Sequence, residues 1–176
     1  MLMIGGASRN IGKTELACTL INKFCPTNKI IGLKVCSIYP DDNKFHGTGE
    51  ISSEEDNFTI IEETRITGSK DTIRMKNAGA SRIFYIRVKD NYLDEAINKF
   101  FKIVNPKSII ICESNSLRRL IKPGLFLIIK SEYPKHIKES AKQLMKDADM
   151  IIISDGKSFK TDFSHIVFST KGWKLS

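Results

Sequence analysis

Short, almost wholly apolar runs recur along this chain, and helical patterns separate them. Residues 1–4, 30–35, 82–88, 108–112, 125–129 and 150–153 are such runs, each bounded by turn residues or charges. Apolar segments this short read as strands, and near-uniform apolarity fits strands covered on both faces. Between the first two, Leu16, Leu20 and Phe24 recur at helical spacing before Pro26. Leu93, Ala96, Ile97, Phe100, Phe101 and Val104 follow i, i+3, i+4, i+7, i+8, i+11, one face of an amphipathic helix. Ile137, Ala141, Leu144, Met145 and Ala148 mark another helix, and residues 71–77 a short one stopped by Gly79. Residues 58–66 read as a further strand and 165–168 as a last, edge strand. Alternating β and α elements predict an α/β fold in three layers, with a mostly parallel, doubly wound sheet. Such sheets take ligands at the carboxyl ends of their strands.

Length and composition narrow the classes. The 176 residues suit one domain, here with a polar insertion at about 37–70 that lacks helical period. A hydrophobic share of 41% and a charged share of 27% exclude collagen, wholesale disorder and a disulfide miniprotein. No apolar run approaches the ~18–20 residues of a membrane span. No secretory signal is expected, because functional-looking sequence already begins at Gly5. Cys18, Cys25, Cys36 and Cys112 form no C-x-x-C pair and read as reduced thiols of a cytoplasmic protein. Zinc held by them with His46, His136 or His165 is not expected. The 28 basic and 20 acidic residues give a net charge of +8. Residues 37–72 alone carry nine acids and three bases, so the remainder is strongly basic. A basic body attracts anions, although solubility explains it equally well. The charge is dispersed along the helices, which argues against nucleic acid.

One segment carries specific chemistry. Gly5-Gly6-Ala7-Ser8-Arg9-Asn10-Ile11-Gly12-Lys13-Thr14 follows an apolar strand and opens a helix, the context a phosphate-binding loop requires. Small residues let main-chain amides converge on phosphate oxygens, and the helix start adds its positive dipole end. Lys13 supplies a cation for the β- and γ-phosphates, and Thr14 a hydroxyl for Mg²⁺. The strict G-x-x-x-x-G-K-[ST] pattern wants glycine where Ala7 stands; counted from Gly6, the loop is one residue longer. The candidate nucleotide-binding residues are Gly6, Arg9, Asn10, Ile11, Gly12, Lys13, Thr14 and Glu15.

The longer loop resembles those of the SIMIBI class of P-loop proteins, dethiobiotin synthetase among them. The molybdopterin-guanine dinucleotide biosynthesis protein B family is the nearer resemblance. Lys34 ends the second strand, as a lysine does there, with Val35-Cys36-Ser37 in place of a histidine-rich continuation. Ser69-Lys70-Asp71-Thr72, followed by Ala78-Gly79-Ala80, resembles a G-K-D-[ST] element and an A-G-A at the same spacing. Residues 109–113 resemble a strand ending in glutamate, with Ser114 replacing the family's glycine. The likeness covers about residues 1–130. It implies a P-loop fold, Mg²⁺-dependent binding and slow hydrolysis of GTP or ATP, and an accessory role in molybdenum cofactor biosynthesis. A small-molecule kinase or ligase similar to dethiobiotin synthetase is the alternative.

Further roles follow from position. Glu113 and Asp71 join Thr14 as metal candidates, since phosphate-bound Mg²⁺ needs only one or two protein carboxylates. Asp71 would equally cap the helix after it, and Glu113 would equally be a solvent-facing acid. Lys13, Lys34 and Asp71 are the candidates for catalysis, where phosphoryl transfer rests on positioning and charge neutralisation. Lys34 would otherwise be a surface lysine. Asn115, Arg118 and Arg119 suit a second ligand, or a solvated helix face. Asp155 is a candidate for a base edge. A second small molecule or protein partner would sit over the 37–70 loop, and Arg9 with that acidic segment leaves a homodimer open.

Overall fold

The computed structural model describes residues 1–39, 57–133 and 139–176, the side chains of 139 and 140 excepted. His46, His136, Ile137 and residues 40–56 of the acidic 37–70 segment lie outside the described residues. In chain order the elements are β1 (Leu2–Gly6), α1 (Lys13–Phe24), β2 (Ile30–Ile38), β3 (Phe58–Glu62), α2 (Asp71–Asn77) and β4 (Arg82–Lys89). Then come α3 (Leu93–Ile103), β5 (Ile109–Glu113), β6 (Leu125–Ser131), α4 (Glu139–Lys146), β7 (Met150–Ser154), β8 (Ile166–Ser169) and β9 (Gly172–Leu175). Short 3-10 turns occupy Asp90–Tyr92 and Ser116–Arg119.

Seven strands form one sheet in the order β3-β4-β2-β5-β1-β6-β7. Every neighbouring pair is parallel except β3 with β4. The apolar runs explain this arrangement. All five residues of β1 and the first five of β6 are buried, because helices cover both faces. On one face Leu16, Leu20 and Ile21 of α1 and Met75 of α2 pack on Leu2, Ile4, Ile111 and Leu127. On the other, Leu93, Ala96, Ile97 and Phe100 of α3 pack on Leu33, Phe84, Ile110 and Phe126. Burying each such side chain contributes ~1.5–3 kcal/mol, so the two cores stabilise the sheet from both sides. The fold is therefore α/β, with a mostly parallel sheet between helices, as the alternation predicts.

β1 lies between β5 and β6, and the chain winds away from it in both directions. A crevice opens at such a reversal, beyond the carboxyl ends of the strands. The 7–12 loop leaves β1 at that point.

Three expectations need correction. Lys34 does not end the second strand: β2 runs on to Ile38 and so takes in the first residues of the polar 37–70 segment. Residues 165–168 do not form an edge of the main sheet: among the described residues β8 pairs only with β9, antiparallel, in a separate hairpin. The hairpin instead covers the end of α1, where the Trp173 ring meets Phe24 edge-on at 4.8 Å and Phe168 at 4.9 Å. Residues 63–66 are not strand, since β3 stops at Glu62 and Glu63 turns inward to Arg65 and Thr72. No described helix is long and apolar enough to cross a membrane.

Candidate functional site

The loop after β1 is shaped by two left-handed residues, Asn10 at φ 54° and Gly12 at φ 93°. Ala7 N–H first donates to Ile129 C=O at 2.8 Å, so the chain leaves the sheet only after that residue. Ile11 then turns back into the first core and anchors the loop. Gly6 is required by this fold-back: a Cβ there would lie 2.8 Å from Ile11 Cγ2 and 3.0 Å from Lys13 Cδ. The first bond of α1 runs from Leu16 N–H to Gly12 C=O at 3.0 Å. Gly12, as the N-cap, supplies no side-chain hydrogen bond, so no cap side chain competes for the amides of the first turn. An uncapped helix start below a turn with left-handed residues suits an anion.

Four charged or polar side chains meet beside that loop. Lys34 and Glu113 stand in register on adjacent parallel strands, β2 and β5, so they lie side by side where β5 ends, four residues before β2 does. Thr14, in the first turn of α1, donates its hydroxyl to Glu113 Oε2 at 2.7 Å. Lys34 Nζ donates to Glu113 Oε1 at 3.2 Å and pairs with Asp71 from the start of α2. Thr14 and Glu113 are 8% and 5% exposed, so a partly desolvated carboxylate is held by one hydroxyl and one ammonium. Burial alone would push the Lys34 ammonium down, but Glu113 and Asp71 beside it raise it above the ordinary lysine value. Lys13 moves the other way: burial lowers it, outweighing the pull of Glu113, and Lys34 adds repulsion. Its Nζ lies 3.5 Å from Ser8 C=O, across the loop.

A second set of hydroxyls ties the strand ends together. Ser37 of β2 donates to Ser116 Oγ at 2.7 Å, and Ser116 lies 3.2 Å from the buried Ser114 hydroxyl. Ser114 Oγ in turn accepts the Leu117 N–H at 3.1 Å. β2, beyond Lys34, is thus linked to the turn that follows Glu113.

The structure brings together Gly6, Gly12, Lys13, Thr14, Lys34, Asp71 and Glu113. Asp71 does not cap α2; Lys70 holds that position and Asp71 reaches Lys34. Arg9 and Asn10 are exposed on the loop. Glu15 turns its carboxylate to Arg74 of α2. Arg118 and Arg119 are engaged elsewhere. Arg118 lies 3.6 Å from Asp147 and over the Phe126 ring, while Arg119 grips both carboxylate oxygens of Asp90. Asp155 is bound to its own turn, accepting from Lys157 and Ser158 N–H at 2.8 Å each. Asn115 is also diverted: its carboxamide bonds to Gly6. The sequence offered no signal for that contact or for the serine chain, because both depend on which strands pair.

The sequence matches no protein-family model, and no curated protein or solved structure matches it significantly.

Proposed function

We propose that this chain is a P-loop protein that binds GTP or ATP with Mg²⁺ and hydrolyses it slowly. The observation that carries the reading is the joined set Thr14, Glu113, Lys34 and Asp71 beside an uncapped, glycine-started helix. In it the 7–12 loop and the amides of the first turn receive the phosphates, and Lys13 neutralises their charge. Burial holds the Lys13 ammonium below the ordinary lysine value, and a phosphate beside it would offset that.

The residues fit a magnesium ion by the chemistry of their donors. Thr14, Glu113 and Asp71 offer hard oxygens, and Mg²⁺ takes one or two carboxylates, substrate phosphates and water. Bound there, the ion would supply charge neutralisation across the β- and γ-phosphates. Lys34, released from its carboxylates, would meet a phosphate oxygen. The resemblance to the molybdopterin-guanine dinucleotide biosynthesis protein B family extends the proposal to an accessory role in molybdenum cofactor maturation. The half-buried second lysine favours one other reading, a kinase or ligase acting on an acidic metabolite. In that case turnover rises sharply when the right metabolite is added.

A thermal-shift panel of ATP, GTP, their diphosphates and Mg²⁺ tests the reading. A nucleotide at 100-fold its Kd stabilises by ~2.7 kcal/mol. Lys13→Ala is expected to remove binding in calorimetry; unchanged affinity in that variant would refute the site.

A further inference from the structure

We infer that Asn115 is a positioning residue that locks the start of the 7–12 loop to the strand bearing Glu113. The observation is a side chain completing a main-chain ladder. β1 and β5 pair in parallel from Leu2 with Ile111 to Ile4 with Glu113. One more main-chain bond follows, from Ser114 N–H to Ile4 C=O at 3.1 Å. β5 then turns off toward the 3-10 turn at Ser116–Arg119, while β1 continues to Gly6. On that side Gly6 has no strand opposite it. Asn115 supplies the missing rung: Oδ1 accepts the Gly6 N–H at 2.8 Å, and Nδ2 donates to the Gly6 C=O at 2.9 Å. A primary carboxamide has one acceptor and one donor side by side, which matches the two groups of a peptide.

On its other side Gly6 is paired with Ile129 of β6. The last residue before the loop is therefore held from both edges. The glycine pair now has two separate explanations. Gly6 leaves room for Ile11 and Lys13, whereas Gly5 leaves room for Asn115, whose Oδ1 would lie 3.0 Å from a Cβ at that position. Asn115 is two residues beyond Glu113, so one strand end both presents the carboxylate and fixes the loop that presents Lys13 and Thr14. Among the described residues the Asn115 carboxamide bonds to Gly6 and to neither of those side chains, so it acts through Gly6.

This inference rests on the nucleotide-binding reading for its consequence, but the clamp is measurable without nucleotide. Asn115→Ala removes both bonds. Asn115→Asp keeps an acceptor for the Gly6 N–H but sets a carboxylate against the Gly6 C=O, so it is not expected to restore the clamp. Amide hydrogen exchange is followed in the ligand-free full chain, well below the unfolding midpoint of each variant. The expected result is at least tenfold faster exchange across residues 6–12 in both variants, with β4 and α3 unchanged. Mg²⁺ with ATP or GTP is then titrated, and at least tenfold weaker affinity is expected in both. A purely structural role predicts a lower unfolding midpoint with unchanged loop exchange and unchanged nucleotide affinity, which overturns the inference. Faster loop exchange in a chain whose wild type binds neither nucleotide upholds the clamp and removes the nucleotide reading instead.

Discussion

The two ends of the central sheet are built from different chemistry. At the carboxyl ends of β1, β2 and β5 the buried groups include Thr14, Glu113, Ser114 and Ser116. At the opposite end, where the β8–β9 hairpin meets the last turn of α1, the Trp173 ring packs edge-on against Phe24 and tilted against Phe168. Apolar burial stabilises in proportion to area, whereas a buried polar group gains only a small net amount even when fully hydrogen-bonded. The aromatic end therefore contributes stability, and the polar end holds groups in place at little or negative net gain. An arrangement of that kind is expected where a ligand, not the fold, sets the residues.

The largest expected effect tests the aromatic end. Trp173 is 4% exposed, and Trp173→Ala is expected to cost ~3–5 kcal/mol, read as a lower denaturant midpoint with unchanged slope. Nucleotide affinity well below the unfolding transition should be retained. Trp173 Nε1 is buried with no hydrogen-bond partner among the described residues, so Trp173→Phe should cost much less. If Trp173→Ala weakens nucleotide binding as much as it weakens the fold, the two ends are not separable.

Next comes the polar end. Glu113→Gln keeps an acceptor for Thr14 but removes the charge facing Lys34. It is expected to cost ~1–3 kcal/mol, the usual penalty for a buried hydrogen-bonded group losing its charged partner. The larger consequence is functional: the dependence of nucleotide binding on Mg²⁺ should flatten. A magnesium titration identical to wild type would exclude Glu113 from the metal.

These regions were not equally legible in the sequence. The strands of the main sheet and the loop could be read because they rest on local pattern: uniform apolar runs, a glycine pair, and Gly12-Lys13-Thr14 before a helical repeat. Asn115, Arg118 and Arg119 look alike as polar residues after a core strand, yet they take three different partners. Gly6, Asp147 and Asp90 become neighbours only through strand order and register, which no local period encodes. The hairpin was half legible for the same reason. Residues 165–168 read as a strand, but β9, also four residues long, escaped, because Gly-Trp-Lys-Leu forms no apolar run. It pairs with β8 away from the main sheet while Trp173 meets Phe24 of α1, contacts that no local period encodes. Gly32 illustrates the same limit within a strand: a Cβ there would lie 2.3 Å from Ile83 Cδ1 and 3.0 Å from Met75 Cε, so close packing by α2 and β4 explains it.

A smaller effect sharpens the reading of the polar end. Lys34 is already the counter-cation of Glu113 and Asp71, so a divalent ion taking those oxygens competes with an ammonium. Unit charges about 4 Å apart at an effective dielectric near 20 interact by ~4 kcal/mol before screening, and exposure of Asp71 reduces that. Lys34→Met is therefore expected to strengthen binding of Mn²⁺ alone by about tenfold, measured by paramagnetic relaxation. In the same variant turnover should fall, because the second cation is gone. Unchanged Mn²⁺ affinity would show that Lys34 and the metal do not share a site.

The smallest effect concerns Glu63, which is buried but lies outside both ends. Its carboxylate accepts two bonds from the Arg65 guanidinium at 2.7 Å and one from the Thr72 hydroxyl at 3.1 Å, tying the segment after β3 to the start of α2 beside Asp71. The Arg65 bonds, with smaller help from the Arg65 N–H and Thr72, hold the acid down at about 2 against burial, which acts to raise it. A depressed acid favours the folded state when ionised. Its contribution is present in full above the ordinary glutamate value of 4.5 and is lost as pH falls from there toward 2. Arg65 is 56% exposed, so solvent screens the pair, and the effect belongs with the ~0.2–1 kcal/mol of exposed ion pairs. Glu63→Gln should flatten the acid limb of the thermal midpoint between pH 5 and about 2 while leaving the midpoint above pH 6 slightly lower. Equal acid limbs in the two proteins would show that Glu63 titrates alike folded and unfolded. The segment carrying Asp71 toward Lys34 would then be held by packing rather than by this carboxylate.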